Sequence, residues 1–339
     1  MEHIFNYQRD ALSNYFLTNN EKPYKALQLF EWLYIQKVKS FSEMTNIKKE
    51  LIDNLVDNFI IYELKIIQKQ QDILTNKYLF ELADGNRIEA VTMEHDYGIS
   101  VCISSQVGCN MGCTFCESGR LKKVRDLATY EMVEQILLIE EDLQKRISSV
   151  VIMGIGEPLD NYDNMMAFIK IINDAKGLAI GARHITISTC GLIPQMQRLM
   201  QEPLQINLAV SLHAPNNAIR DQLMNVNKVY NIEAIIQTIS EYIAKTNRRV
   251  TIEYVMLKGI NDSEDNAHDL ASLLKGLNVY VNLIPYNETN HFEYQKSSKE
   301  TILHFYDILK QHHITVTIRR EFGNNIDAAC GQLRSKEVE

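Results

Sequence analysis

What this chain lacks excludes several classes of protein. Its opening residues, MEHIFNYQRD, contain no basic segment followed by an apolar run, so we expect no secretion signal. The uncharged stretch from Tyr97 to Cys116 is rich in Ser, Gly, Asn and Gln, which argues against a transmembrane helix. The sequence also contains no internal repeat and no low-complexity segment. These absences predict a cytoplasmic protein with no membrane contact.

Cysteine is scarce, and its placement does not suit a disulfide scaffold. There are 6 cysteines among 339 residues, and Cys109, Cys113 and Cys116 are too crowded to bridge one another. This usage fits reduced thiols in the cytosol. The chain is 45% hydrophobic, which is ample for one large domain and a smaller one.

Positive charge is also in short supply. The net charge of −8 weighs against nonspecific binding to nucleic acid, because that binding is electrostatic. Three local basic clusters soften this argument: Lys122-Lys123-Val124-Arg125, Arg248-Arg249 and Arg319-Arg320. Charged doublets are usually solvated surface, so charge alone does not decide for or against an RNA partner.

The most informative segment is Cys109-Asn110-Met111-Gly112-Cys113-Thr114-Phe115-Cys116. Three thiolates at this spacing suit three corners of a cubane iron–sulfur cluster, whereas structural zinc takes four protein ligands. No Cys or His follows Cys116 until His184, so a fourth ligand would have to come from far away. A cluster on three thiolates leaves one iron open to a small chelating cofactor. A zinc site with a distant fourth ligand remains the alternative.

This cysteine spacing resembles the signature of the radical S-adenosylmethionine (SAM) enzymes. In that class the open iron binds the amino and carboxylate groups of SAM. An electron from the cluster then cleaves the sulfonium and releases a 5′-deoxyadenosyl radical. The resemblance implies a [4Fe–4S] cluster on Cys109, Cys113 and Cys116, with SAM as the second cofactor.

The chain changes its pattern along its length. Apolar residues at helical spacing over 24–34 and 47–59 predict a small helical domain. Residues 78–82 and 88–93 then alternate as strands around Ala83-Asp84-Gly85-Asn86, a hairpin-type turn. The expected divisions are a helical accessory domain at 1–76, a β-hairpin linker at 77–98 and a catalytic barrel at 99–339.

From Ser100 onward, predicted strands and helices alternate. This order predicts an α/β fold with a parallel sheet, and specifically a partial (β/α)6-type barrel. The predicted strands are 100–104, 149–153, 184–188, 206–212, 250–256, 279–284 and 314–318. The predicted helices are 129–144, 164–174, 232–245, 265–274 and 299–311.

Polar and glycine residues follow several of these strands at their C-terminal ends, where parallel α/β folds place active sites. These residues are Gly156 and Glu157 after the second strand, Ser188 after the third, Ser211, Leu212 and His213 after the fourth, and Asn287 after the sixth. Each alone is more often a simple turn residue. As a set they suit SAM, because glycine lets a backbone approach a ligand and the polar groups can bind amino, ribose and adenine atoms.

Three further residues have no role that their position alone decides. Cys102 lies on a predicted strand, where a buried inert thiol is the default. Cys330 lies among small residues after the last strand, which suits a loop able to reach the barrel mouth. Glu89 is by default a surface or paired carboxylate.

Along nearly its whole length the chain resembles the radical SAM rRNA adenine methyltransferases RlmN and Cfr. The segments that carry the resemblance are 88–89, 102–109, the three-cysteine loop, 153–159, 182–189, 211–216, 282–287 and 326–333. The N-terminal helices resemble the accessory RNA-binding domain of that family. The resemblance implies the barrel fold, the cluster and two SAM molecules per turnover.

The resemblance also implies roles for the remaining residues. Cys330 takes a methyl group from one SAM, and the radical from a second SAM removes hydrogen from that S-methyl group. The methylene radical then adds to an electrophilic carbon of adenine. Glu89 is the implied proton acceptor, and Cys102 the implied resolving thiol that forms a transient disulfide with Cys330.

Within the family, Glu157-Pro158 and Asp327-Ala328-Ala329-Cys330 favour the RlmN type. This implies methylation of carbon 2 of an adenine in the peptidyl-transferase loop of 23S rRNA and of adenine 37 in some tRNAs. Methylation of carbon 8, as in Cfr, is the alternative. The implied partners are 23S rRNA, tRNA and an electron donor such as flavodoxin or ferredoxin, and we expect a monomer.

The chain departs from the family pattern at Glu117–Lys122, at Cys190, where Ser is common, and at Asn225, where Pro is common. Two other functions stay open at this point. One is a radical SAM enzyme that acts on a small metabolite or a protein. The other is a zinc-binding RNA module without enzymatic activity.

Overall fold

The structure is a computed structural model that describes residues 1–289, 291–320, 326, 328 and 331–333. Its helices are α1 (Arg9–Thr18), α2 (Tyr24–Glu31), α3 (Lys49–Asn58), α4 (Glu117–Arg120), α5 (Thr129–Leu143), α6 (Tyr162–Asn173), α7 (Ile193–Leu199), α8 (Asn217–Leu223), α9 (Ile232–Thr246), α10 (Glu264–Leu273) and α11 (Lys299–Gln311). Its strands are β1 (Glu2–His3), β2 (Phe59–Ile60), β3 (Lys65–Asp72), β4 (Thr75–Glu81), β5 (Arg87–His95), β6 (Gly98–Ile103), β7 (Gln106–Val107), β8 (Arg125–Asp126), β9 (Ile147–Ile152), β10 (Ile185–Thr189), β11 (Asn207–Ser211), β12 (Val250–Met256), β13 (Val279–Pro285) and β14 (Thr315–Ile318).

The part of the chain from β6 to β14 is built on parallel strands in sequential order. Strands β6, β9, β10, β11, β12, β13 and β14 are neighbours in that order, and every adjacent pair is parallel. At least one helix lies between each consecutive pair along the chain. Sequential order with helical crossovers is the pattern of a barrel, whereas a doubly wound sheet reverses its order partway. The partial barrel predicted from the sequence is therefore confirmed.

An antiparallel extension continues the same sheet beyond β6. Strand β5 pairs with β6, β4 with β5, and β3 with β4. The predicted hairpin turn is present, with the amide of Leu82 donating to the carbonyl of Asn86 at 2.8 Å. Residues 65–72, which the sequence placed with the helices, form β3. This strand is mostly polar and lies at the sheet edge, so it lacks the apolar alternation that would predict it.

The N-terminal helices pack onto the barrel and do not stand apart from it. Strand β1 pairs in parallel with β2, which brings the start of the chain beside the end of α3. The ring of His3 lies 2.7 Å from the buried carboxylate of Glu134 on α5. Apolar side chains of both regions, such as Phe16 and Phe30 in the helices and Ile136 in α5, belong to one buried core.

Local sequence signals begin the barrel helices. The side chains of Asn231, Ser263 and Ser298 accept hydrogen bonds from the first turns of α9, α10 and α11. These N-caps satisfy amide groups that a helix leaves unbonded. Among the described residues, none of the helices has both the length and the apolar character that crossing a bilayer requires.

Candidate active site

The C-terminal ends of the parallel strands surround a cavity of about 190 Å³. Most of the residues singled out from the sequence line its wall: Cys102, Cys109, Cys113, Cys116, Gly156, Glu157, Ser188, Ser211, His213 and Asn287. Glu89 and Leu212 are fully buried and are not part of this lining. The fold thus brings together residues that lie up to 185 positions apart between Cys102 and Asn287.

The three-cysteine loop, residues 109–116, is held in place from two sides. Its Cys109 amide donates to the carbonyl of Leu121 at 2.8 Å, and its Thr114 amide donates to the carbonyl of Leu223, at the end of α8, at 3.0 Å. Gly108 precedes the loop with φ of +75°, and a Cβ there would lie 2.2 Å from the carbonyl oxygen of Lys122. Only glycine permits this close approach, which closes the base of the loop.

The thiols of Cys109 and Cys113 lie in surroundings that disfavour free thiolates. Burial raises the pKa of Cys109 to about 12, and burial with the neighbouring Cys116 and Cys109 raises the pKa of Cys113 well above its ordinary value. Metal ligation requires the thiolate form, and bound metal is the positive charge that stabilises it. The site therefore suits thiolates at Cys109 and Cys113 only when a cationic group lies beside them.

The arrangement of the cysteines is compatible with a cluster. No three His, Cys, Asp or Glu side chains among the described residues are grouped so as to hold a single metal ion. A cubane does not need such a group, because each of its thiolates binds a different iron. The three cysteines of one short loop, all facing one cavity, meet that requirement.

Glu157 links the ends of two neighbouring strands. One carboxylate oxygen accepts from the amide of Leu159 at 3.1 Å, and the other accepts from the amide of Cys190 at 2.8 Å. Burial raises its pKa, although these hydrogen bonds act in the opposite direction. Glu157 thus contacts the cavity while it also braces the loops that follow β9 and β10.

Packing requires glycine at position 156, for a reason that the sequence did not reveal. Its φ is +111°, and a Cβ there would lie 2.6 Å from the Cβ of Gln106. The side chain of Gln106 in turn accepts from the amide of Glu157 at 2.8 Å. Close packing against Gln106 on β7 therefore explains why residue 156 is a glycine. The expected contact between Gly156 and SAM is a separate matter.

Two serine hydroxyls meet at adjacent strand ends. The Oγ atoms of Ser188 on β10 and Ser211 on β11 are 3.4 Å apart. Both residues line the cavity, as does Asn287 after β13. Uncharged donors and acceptors in this arrangement suit hydroxyl and ring-nitrogen groups of a ligand.

His213 is held as a neutral ring. Its Nδ1 accepts from the amide of Val255 at 3.0 Å, and its ring edge packs on Phe115 at a centroid distance of 5.0 Å. Burial, with a contribution from the positive charge of Arg220, lowers the pKa of His213 to about 3. Because Nδ1 is the acceptor, the proton lies on Nε2, which makes that nitrogen a hydrogen-bond donor.

Cys102 and Glu89 lie on neighbouring strands of the sheet. Cys102 on β6 is directly opposite Val91 on β5, and Glu89 is two residues from Val91 on the same face. Cys102 lines the cavity and packs in an apolar cluster with Val91, Ile155 and Leu333. Glu89 forms a buried ion pair with Lys77, at 3.0 Å.

The C-terminal segment reaches the same cavity. Ala328 and Gly331 line the wall on either side of residues 329 and 330, and Cys330 itself lies outside the described residues. The amide of Glu117 donates to the carbonyl of Gly331 at 2.8 Å, and the hydroxyl of Ser118 donates to the carbonyl of Leu333 at 2.9 Å. The segment is thus tied to the residues that directly follow the cysteine loop.

Glu117, one of the departures from the family pattern, is a buried anchor. Its carboxylate lies 2.9 Å from Nδ1 of His291 and 3.1 Å from Arg120. Burial alone would raise its pKa, but hydrogen bonds from Thr289, His291 and Arg120 lower it below its ordinary value. This network joins the cysteine loop to the loop after β13.

Sequence reasoning missed one carboxylate in the cavity wall, that of Glu253 on β12. It is 5% exposed, accepts from the side-chain amide of Asn282 at 2.9 Å, and has its pKa raised by burial. A signal was present, because an acidic residue interrupts a mostly apolar, buried strand.

Two family models match separate parts of the chain. Residues 103–271 match the family model described as the Radical SAM superfamily. Residues 3–61 match the model of the ribosomal RNA large subunit methyltransferase N-terminal domain.

Similar proteins extend over nearly the full length. A protein of Enterococcus faecalis named "Probable dual-specificity RNA methyltransferase RlmN" is 53% identical, over 99% of this chain and 97% of its own. A protein of Streptococcus suis with the same name is 50% identical, over 99% of this chain and 93% of its own. The crystal structure of a radical SAM methyltransferase from Sphaerobacter thermophilus has a TM-score of 0.94 and 38% identity, and covers 99% of this chain and 100% of its own.

The fold and the three-cysteine cavity define the class as radical SAM. Within that class, identity of about half over nearly the whole length is decisive, and the chain belongs to the RlmN family. Its cofactors are accordingly a [4Fe–4S] cluster and SAM.

Proposed function

We propose that this chain methylates carbon 2 of an adenine in the peptidyl-transferase loop of 23S rRNA, and adenine 37 of some tRNAs, through an S-methylcysteine at Cys330. One observation carries the proposal. The three-cysteine loop, Cys102 and the residues on both sides of positions 329 and 330 line a single cavity. The printed names of the similar proteins support an RNA substrate.

The proposed cofactor contacts follow from the lining of that cavity. Cys109, Cys113 and Cys116 hold the cluster. The proposed SAM contacts within the lining are Gly156, Glu157, Ser188, Ser211, His213 and Asn287, and Leu212, just outside it, is proposed as a further contact. Leu212 would act through its backbone, since its side chain is fully buried. When bound, the two cofactors supply the one-electron chemistry that activates an otherwise inert methyl group.

Two cysteines share the transfer in this proposal. Cys330 accepts a methyl group from one SAM as a thiolate, and a second SAM is used when that carbon passes to the adenine. Cys102 then attacks the sulfur of Cys330, and the bond between that sulfur and the methylene carbon breaks. The carbon takes up a proton to become the methyl group of the released RNA, and a reductant must reopen the disulfide that remains. The position of Cys102, packed against the apolar cluster that contains Ala328 and Leu333, supports this pairing.

Glu89 is the proposed proton acceptor for the adenine ring hydrogen. It lies on the cavity-facing side of β5, two residues from Val91, which lines the cavity. Its carboxylate is paired with the ammonium of Lys77. Proton transfer requires hydrogen-bond reach to the ring, so the proposal places the target adenine close to β5.

The remaining partners follow from this activity. We assign RNA binding to the helical part of residues 1–76 and catalysis to the barrel at 99–339, with the hairpin at 77–98 joining them as part of the antiparallel extension of the sheet. Shape recognition of folded RNA and of splayed bases tolerates a net charge of −8. A flavodoxin or ferredoxin would reduce the cluster, the protein would act as a monomer, and its RNA substrates place it in the cytoplasm.

The decisive experiment analyses RNA from cells with and without this gene. Mass spectrometry of the peptidyl-transferase loop should detect 2-methyladenine only when the gene is present. Methylation at carbon 8 would instead indicate a Cfr-like enzyme. Unchanged 23S rRNA and tRNA would contradict the proposal and leave a metabolite or protein substrate.

Cysteine variants test the chemistry in the purified protein. Replacing Cys109, Cys113 and Cys116 with Ala should remove the iron and the brown colour together. Cys330→Ala should keep the iron but lose RNA methylation. Cys190→Ser is the matched control. It removes a thiol that lines the same cavity, and that thiol has no role in the proposed chemistry. Full iron retention in the triple variant would end the cluster assignment.

A further inference from the structure

Arg220, on α8, is a fully buried cation whose partners are uncharged. Its Nε donates to the carbonyl of Leu212 at 3.1 Å, and one terminal nitrogen donates to the carbonyl of Cys190 at 2.7 Å and that of Ser211 at 3.3 Å. The other terminal nitrogen donates to Oδ1 of Asn227 at 3.0 Å and to the carbonyl of Tyr230 at 3.3 Å.

This arrangement leaves a positive charge without a direct counter-ion. Among the residues that the structure describes, no carboxylate forms an ion pair with Arg220, although Asp221 is close enough to act on it through Asn227. Burial of a charge is unfavourable unless an opposite charge compensates it. Carbonyl dipoles satisfy the N–H groups, but they do not neutralise the cation.

The location of Arg220 indicates what the opposite charge is. Its helix ends at Leu223, whose carbonyl holds the amide of Thr114 in the cysteine loop. Arg220 also acts electrostatically on the thiols of Cys113 and Cys190. The cation therefore lies on a helix that contacts the loop carrying the three proposed cluster ligands, close enough to act on the thiol of Cys113.

We propose that Arg220 is the fixed counter-charge of the iron–sulfur cluster, and that its guanidinium positions the strand ends that bind SAM. It does so through a fork of hydrogen bonds to the carbonyls of Leu212, Cys190 and Ser211. The proposal rests on the assignment of Cys109, Cys113 and Cys116 as cluster ligands. A cluster held by three thiolates becomes more negative by one charge when it accepts an electron. A buried cation nearby favours that reduced state and raises the reduction potential.

The fork has a second consequence. Arg220 bonds the carbonyls of Cys190, Ser211 and Leu212, which lie at the ends of β10 and β11. These are the strand ends that present Ser188 and Ser211 to the cavity. Loss of the planar fork should loosen them even where the positive charge remains, because lysine cannot reproduce guanidinium geometry.

Three variants separate charge from position. Arg220→Lys keeps the charge and loses the fork. Arg220→Met loses both. The third variant keeps the fork but places a carboxylate on it: Asn227→Asp combined with Asp221→Asn, so that the new carboxylate accepts from an amide instead of facing Asp221. This double variant is called Asn227→Asp below. The readouts are the midpoint potential of the cluster, from a redox titration followed by electron paramagnetic resonance, and the affinity for SAM, from equilibrium dialysis.

The expected results differ between the two readouts. The midpoint potential should shift to more negative values in Arg220→Met and Asn227→Asp and stay near that of the unsubstituted protein in Arg220→Lys. SAM affinity should fall by roughly tenfold in Arg220→Lys and Arg220→Met, and change little in Asn227→Asp. Arg198→Gln is the control for a surface charge, because Arg198 is exposed and paired with Asp163.

Iron content and circular dichroism are measured first on every variant. If Arg220→Met does not fold, Asn227→Asp still tests the charge. A potential in Asn227→Asp equal to that of the unsubstituted protein would overturn the counter-charge proposal. Iron that persists after all three cysteines are replaced would instead overturn the cluster assignment, so the two failures are distinguishable.

Discussion

The ammonium nitrogen of Lys77 lies 3.0 Å from Oε1 of Glu89, and both side chains are at most 4% exposed. They come from adjacent antiparallel strands, β4 and β5, and they share the face that continues into the cavity wall at Val91 and Met93. The antiparallel extension therefore contributes a buried acid–base pair to the active-site side of the sheet. This contribution distinguishes it from a simple connection between domains.

Breaking this pair should be costly. Lys77→Met leaves the carboxylate of Glu89 buried without its ammonium, so we expect the free energy of unfolding to fall by about 3–5 kcal/mol. The double variant Lys77→Met with Glu89→Gln has no buried charge at this site and should recover much of that loss. Denaturant unfolding of both proteins measures the difference. A loss below about 1 kcal/mol in the single variant would mean that the carboxylate does not depend on Lys77.

The sequence predicted the barrel well because its strands are buried on both faces. The predicted strand 250–256 coincides with β12, and the predicted helix 299–311 coincides with α11. Helix α1 was missed, since it buries only Leu12 and Phe16 and has a weak apolar face. Strand β3 was missed for a related reason, because its edge position leaves it mostly polar.

The candidate site was predictable where its residues are close in sequence or follow a strand. The cysteine loop is one local segment, and Ser188, Ser211 and Asn287 follow from the rule about strand ends. Arg220 has no such signal, because its role depends on three carbonyls that only the fold brings together.

The departure at Asn225 should be functionally neutral. The side chain of Asn225 donates to the carbonyl of Gly112 in the cysteine loop at 3.3 Å, but this bond is exposed to solvent. Asn225 begins a short 3-10 helix, and the extended backbone of Met224 before it is compatible with a following proline. We therefore expect Asn225→Pro to keep the iron content and to change the free energy of unfolding by less than about 1 kcal/mol. Loss of iron in this variant would assign the side chain a role in holding the loop.

His213 should make the protein less stable in mild acid. Burial and the charge of Arg220 lower its folded-state pKa from 6.5 to about 3, so in this range the unfolded chain binds a proton that the folded chain does not. Above pH 6.5 the ring is neutral in both states, and this group does not lower the free energy of unfolding. As the pH falls from 6.5 towards 3, the free energy of unfolding decreases by up to about 1.4 kcal/mol per pH unit.

The matched variant is His213→Asn. Asparagine tolerates the φ of +59° at this position, and its side-chain oxygen can accept from Val255 as Nδ1 does. Because it does not titrate, its stability should fall less steeply between pH 7 and pH 5 than that of the unsubstituted protein. Urea unfolding at several pH values measures both slopes, and identical slopes would show that His213 is not the titrating group.

Cys102 provides the sharpest test of the proposed chemistry. If Cys330 ends bonded to the adenine through a methylene group, a second thiol must take its sulfur before the RNA can leave. A disulfide requires the two sulfurs to approach to about 2.05 Å, with Cα atoms roughly 4.4–6.8 Å apart. Cys102 lines the cavity and packs against the apolar cluster that contains Ala328 and Leu333, so a thiol is present where the C-terminal segment meets the sheet.

Cys102→Ala should therefore still accept a methyl group on Cys330, because that step does not use the second thiol. It should then stall with the RNA attached, and a denaturing gel should reveal a protein–RNA adduct that nuclease removes. Cys190→Ser serves as the control, since it removes another cavity thiol and should trap nothing. Turnover of Cys102→Ala at the normal rate, with no adduct, would make Cys102 an inert strand cysteine and remove the resolving step from the proposal.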